Sequence, residues 1–119
     1  MPIKLFGIAN CDTVKKARAW FVAQGIDVAF HDFKREGLSQ ALLASWLQTT
    51  DWEVLLNRRG TTWRRLDEAA RASVHDASSA SALMLEQPSL VKRPVVEWAD
   101  GSISVGFDAA RFAEAALRR

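Results

Sequence analysis

The sequence predicts an α/β fold: a mixed four-stranded sheet in the order βαβ … ββα, with a helical insertion between the two halves. Three observations carry this. Strand, amphipathic helix and strand patterns fill residues 1–33 in turn. Two alternating apolar runs flank Asp100-Gly101 and are followed by a closing helix pattern. Between them the chain is helical in flavour, with neither linker composition nor an internal repeat. A length of 119 residues, 49% hydrophobic and 25% charged, suits one domain with a single core. The expected division of that single domain, 1–119, is a core of 1–33 and 89–119 with an insert of 34–88.

In order, Ile3-Lys4-Leu5-Phe6-Gly7-Ile8 is a mostly buried strand whose exit is marked by Gly7 and Asn10. A helix follows from about Asp12 or Thr13 to Gln24. Val14, Ala17 and Phe21, with Trp20 beside them, form its apolar stripe; Lys15, Lys16 and Arg18 face water, and Gly25 suits the position just past its end. Ile26 to Phe33 alternates as a second strand, and strand, helix and strand within about 30 residues imply parallel pairing.

After Lys34-Arg35-Glu36-Gly37, Ser39 can cap a helix that turns Leu38, Leu42, Leu43 and Trp46 inward. Asp51 opens a short helix through Trp52, Val54 and Leu55. Residues 57–62 form a polar break, helix resumes from Trp63 to Ala72, and another spans Ala77 to Glu86. Past Gln87-Pro88 the strand pattern returns at Val95-Val96-Glu97-Trp98 and Ile103-Ser104-Val105. Asp108 then caps a helix from Ala109 to about Leu117, with Phe112, Ala116 and Leu117 available to the sheet.

The chemistry concentrates at Cys11, the only cysteine, placed where the first strand turns into the first helix. Unpaired N–H groups and the positive end of the helix dipole favour thiolate there. Lys15, one turn on, adds positive charge, and Asp12 opposes it. The bland reading of a lone cysteine is a small buried hydrophobe. Ligands on such sheets approach the carboxyl ends of the strands, where Cys11 sits. A thiol at the first βα turn of this element order describes a thioredoxin-like fold.

Three segments together resemble the ArsC/Spx family, in its YffB-like branch: residues 7–17 (GIANCDTVKKA), 55–63 (LLNRRGTTW) and 87–94 (QPSLVKRP). The resemblance spans essentially the whole chain. It implies a nucleophilic Cys11, anion-binding arginines at Arg59 and Arg93, and a thiol-dependent reductase using glutathione as co-substrate, with no bound cofactor. Asn10, Thr13 and Lys15 join those arginines as candidate anion or glutathione ligands. The resemblance also places Pro94 at the site, with Arg93-Pro94 as a cis peptide bond facing Cys11 and Arg93 pointing into the same cleft. The family offers two alternatives: arsenate reductase, and an Spx-like regulator that binds RNA polymerase. Val105-Gly106-Phe107 stands where arsenate reductases carry an arginine, Asn57 takes a second arginine's place by its spacing from Trp63, and Val14 stands where Spx proteins carry a second cysteine.

A formal net charge of +2 argues against dedicated nucleic-acid binding. Arg58, Arg59, Arg64 and Arg65 beside Trp63 read as a solvated helical face. His31 and His75 lack a metal-ligand pattern, so no metal is expected. The five tryptophans read mainly as core, with Trp63 the one placed to meet a ligand. No signal pattern or apolar run long enough for a membrane span occurs. The resulting expectation is a cytoplasmic monomer that meets glutathione and an oxidised substrate, without nucleic acid or membrane. With one thiol in the chain, an external thiol must resolve any mixed disulfide.

Overall fold

In the computed structural model, which describes residues 2–118, the chain divides into two compact units, 1–36 with 93–119 and 37–92. In the first unit, strand β1 (Ile3–Gly7) is followed by helix α1 (Asp12–Gln24), strand β2 (Val28–Asp32) and a single helical turn, α2 (Phe33–Glu36). The unit resumes with β3 (Val95–Glu97), β4 (Ile103–Val105) and α8 (Ala109–Leu117), numbered after the five helices of the second unit. The sheet order is β2-β1-β3-β4. β1 pairs parallel to β2, with Gly7 opposite Asp32, and antiparallel to β3, with Phe6 opposite Val95. The fold is thioredoxin-like, as the element order predicts.

Alternation of side chains along β1 turns Leu5 toward one face of the sheet, where Val96 lies opposite it. There α1 contributes Val14, Ala17 and Phe21, and α8 contributes Phe112 and Ala115, all at most 3% exposed. Phe112 is the hub: its ring lies 5.0 Å from Trp98, 5.4 Å from Trp20, 5.6 Å from Phe21 and 4.9 Å from Phe107. Each pair adds edge or tilted contact energy to its buried area. Helix α1 stops where Gly25, at φ 68°, lets its N–H and that of Ile26 turn back on the carbonyls of Val22 and Phe21. The Asp100 carboxylate accepts from the Ser102 N–H at 2.9 Å, and Gly101 takes φ 88°, closing the expected hairpin.

Two details of this unit differ from the sequence reading. The second strand stops at Asp32, whose Oδ1 accepts from the Lys34 N–H at 2.9 Å while its own N–H donates to Glu36 Oε2 at 3.2 Å. That reciprocal capping starts α2 where the alternation still reads as strand. In α8 the buried neighbour of Phe112 is Ala115, whereas Leu117 is 83% exposed. Leu117, the last residue of the helix, lies on its open side.

The second unit holds α3 (Gln40–Leu47), α4 (Trp52–Leu55), α5 (Thr61–Arg65), α6 (Glu68–Ala72) and α7 (Ala77–Glu86), followed by a 3-10 turn over Pro88–Leu90. Ser39 and Asp51 cap α3 and α4 as expected, and Asp76 caps α7, each accepting a backbone N–H of the first turn. The expected helix from Trp63 to Ala72 is broken in two. Leu66 is extended, and Asp67 accepts from the Ala70 N–H at 2.7 Å to start α6. Arg71 then covers the carbonyl freed at Leu66. Val91 bridges Leu56, with the Lys92 and Asn57 N–H groups donating to Leu55 and Leu90 at 2.7 Å. Among the described residues no helix is long and apolar enough to cross a membrane.

Candidate active site

Register brings the two ends of the first unit together. Because β1 and β3 are antiparallel with Phe6 opposite Val95, the chain leaving β1 toward Cys11 runs beside the chain entering β3 from Arg93-Pro94. The Arg93-Pro94 peptide is cis, as expected. Pro94 is buried, and its carbonyl accepts the Gly106 N–H at 2.8 Å.

Cys11 occupies the N-cap of α1, with extended backbone at φ −137° and ψ 124°, and its carbonyl accepts the Lys15 N–H at 2.9 Å. The half-buried sulfur packs against the core and makes no full capping hydrogen bond. Burial pushes the thiol's pKa up. The Val14 N–H, the hydrogen bond and charge of Arg93, and the Thr13 N–H together outweigh it, so the pKa lies below that of an ordinary thiol. The site thus brings Cys11, Thr13 and Arg93 together.

Asn10 is exposed in the turn before Cys11, and the Lys15 side chain is exposed on α1. Arg93 is the cation that lowers the thiol's pKa. Arg59 lies in the second unit, exposed, its N–H donating to Asn57 Oδ1 at 3.0 Å and its carbonyl accepting from Arg64 Nη2 at 2.8 Å. The tryptophans split: Trp46 and Trp98 are buried, whereas Trp20, Trp52 and Trp63 are half-buried. Trp52 and Trp63 each lie under the Arg58 guanidinium, at 5.2 and 5.9 Å. What the sequence reading passed over is the Val14 amide. The signal was present, because a residue three places after an N-cap directs its N–H back at the cap side chain.

The model of the ArsC family matches residues 6–115. The chain belongs to the ArsC family. Among solved structures, this ArsC-family protein is similar to a YffB protein, 43% identical, with a TM-score of 0.90 covering 97% of this chain and 99% of the other. It is also similar to an arsenate reductase (ArsC) related protein from Brucella melitensis, 54% identical, with a TM-score of 0.75 covering 96% and 93%. A relative from Streptococcus pyogenes, named global transcriptional regulator Spx, is 30% identical over 97 residues, covering 79% of this chain and 70% of the relative.

Proposed function

We propose that this protein is a cytoplasmic, monomeric thiol-dependent reductase with Cys11 as its only nucleophile and glutathione as its co-substrate. The observation that carries the reading is the Cys11 sulfur at the start of α1, facing Arg93 and the N–H groups of Val14 and Thr13, with its pKa lowered. A thiolate stabilised in that way is the attacking species in thiol–disulfide exchange.

The cycle has two displacements. Cys11 thiolate attacks the glutathione sulfur of a mixed disulfide GS–SR, forming Cys11–SG and expelling RS⁻, which takes a proton. Glutathione, having lost its thiol proton, then attacks the same sulfur of Cys11–SG, forming GSSG and returning Cys11 as thiolate. The net change is GS–SR + GSH → RSH + GSSG: the substrate sulfur is reduced and glutathione is oxidised. Arg93 has two tasks, favouring the thiolate in the free enzyme and offering a planar fork of donors to a carboxylate of the incoming thiol. Thr13 and Asn10 border the sulfur in sequence, and Lys15 and Arg59 supply the further cations proposed for the glutathione carboxylates.

Intact mass after incubation with oxidised glutathione tests the cycle. One adduct is expected on the native chain and none on Cys11→Ser, with reduced glutathione releasing it. Arg59→Ala in a glutathione titration tests that arginine separately. Identity to the Spx relative favours a second reading, a protein-interaction module that binds RNA polymerase with Cys11 idle. Absence of the adduct across physiological redox poise, or full reductase activity in Cys11→Ser, would transfer support to it. Arsenate reduction, suggested by the name of the Brucella melitensis relative, is measured in the same assay with arsenate as oxidant.

A further inference from the structure

The first unit contains a second feature that the cycle above leaves unused. A cavity of about 570 Å³ opens at the ends of β1 and β2, lined by Ala9, Arg18, Phe30, Asp32, Arg35 and Glu36. Its size is that of a small-molecule site, for which roughly 300–1,000 Å³ is usual.

Its charges are unusual in sign and arrangement. Two guanidinium groups and two carboxylates share the cavity, yet among the described residues neither Arg18 nor Arg35 is ion-paired to a carboxylate. Arg18 instead lies over the Phe30 ring at 4.2 Å, which holds its planar fork in place. Asp32 is the one buried charged residue among those described, at 9% exposure. Among the described residues its carboxylate accepts a single backbone bond, from Lys34 to Oδ1, and so keeps lone pairs for a donor from the cavity. Among the described residues Glu36 uses only Oε2, toward the Asp32 N–H at 3.2 Å and His31 Nδ1 at 3.8 Å. An anion alone would be opposed by Asp32 and Glu36, and a cation alone by Arg18 and Arg35. A group carrying both charges satisfies both walls.

We propose that this cavity binds a zwitterionic α-amino-acid group: its carboxylate on the forks of Arg18 and Arg35, its ammonium on Asp32 and Glu36. The occupant is the glutamyl end of the glutathione that reacts at Cys11, an assignment that rests on the reading above for the identity of the thiol. The reach is adequate. Ala9, on the cavity wall, is two residues before Cys11, so their Cα atoms are at most about 7.6 Å apart. The γ-linked glutamyl arm spans about two residue lengths, roughly 7 Å when extended.

The test uses S-methylglutathione, which cannot exchange disulfides, and its N-acetyl derivative, which lacks the ammonium. Amide shifts should move at Ala9, Phe30, Asp32 and Glu36, and N-acetylation should weaken binding to the native protein about tenfold. Glu36→Gln and Asp32→Asn should each narrow that difference, and Arg35→Gln should weaken both ligands alike. Glu36 and Arg35 are exposed, so their variants retain the fold even if Asp32→Asn does not. Equal affinity of the two ligands for the native protein, or shifts confined to residues away from the cavity, overturns the proposal. The glutathione adduct on Cys11 is read separately. If the adduct forms while the cavity shifts are absent, this inference fails and the reductase reading stands; if the shifts occur without any adduct, the reverse holds.

Discussion

The Arg93 guanidinium holds the Cys11 thiol below its ordinary pKa, although the two residues come from opposite ends of the chain. Pairing of β1 with β3 makes this possible, since it sets the residue entering one strand beside the loop leaving the other. The thiol can therefore be partly buried, which protects it, and still favour its ionised form.

Removing the guanidinium should raise the thiol's pKa. In Arg93→Met, thiolate absorbance followed against pH should appear at higher pH than in the native protein, and alkylation by iodoacetamide at neutral pH should slow. Arg93→Lys should restore much of the charge effect but not the fork. Loss of a charge-assisted hydrogen bond of about 1.5–3 kcal/mol then predicts glutathione affinity at least about tenfold weaker. Unchanged affinity in Arg93→Lys would remove Arg93 from the ligand site.

The same shift has a signature in stability. The folded-state pKa of Cys11 lies below that of the unfolded chain, so the folded state binds fewer protons between the two values. The stability of the native protein relative to Cys11→Ser should rise as pH climbs from the folded pKa to the ordinary thiol value, then level off. It should be lost as pH falls through the folded pKa. Denaturant midpoints of the pair across that window check the sign, and a gap that narrows with rising pH would contradict it.

Gly7 tests the packing beneath the site. A Cβ there would lie 2.7 Å from Cγ2 of Val14, a residue with no exposed surface. Gly7→Ala should therefore cost about 1–3 kcal/mol by overpacking. Adding Val14→Ala makes room for the new methyl group, so the double variant should be less destabilised than the two single changes summed, as chemical denaturation would report.

The buried face of α8 is tested by two truncations. Phe112→Ala removes the ring at the centre of the aromatic cluster and should cost about 3–5 kcal/mol. Leu117→Ala, at an exposed position, should stay within about 0.5 kcal/mol of native. Equal losses would mean that Leu117 is covered in solution.

What the sequence determined by itself is local. The apolar periods of α1 and α8, the caps at Ser39, Asp51, Asp76 and Asp108, the stop at Gly25 and the turn at Asp100-Gly101 each depend on residues a few positions apart, so they are legible without a fold. The position of Cys11 at a helix start was legible for the same reason, and the three motif segments identified the family. Where two local signals competed, the sequence misled: the pattern from Trp63 to Ala72 continues as a helix until Asp67 is seen to cap a new one. Only the tertiary structure decided which cation meets the thiol. Lys15 is near Cys11 along the chain but directs its side chain to water, while Arg93 arrives through strand pairing. The cavity of Arg18, Phe30, Asp32 and Glu36 was hidden in the same way. Its charges are scattered over a helix, a strand and a turn, and they become one surface only when parallel pairing brings the ends of β1 and β2 to the same edge.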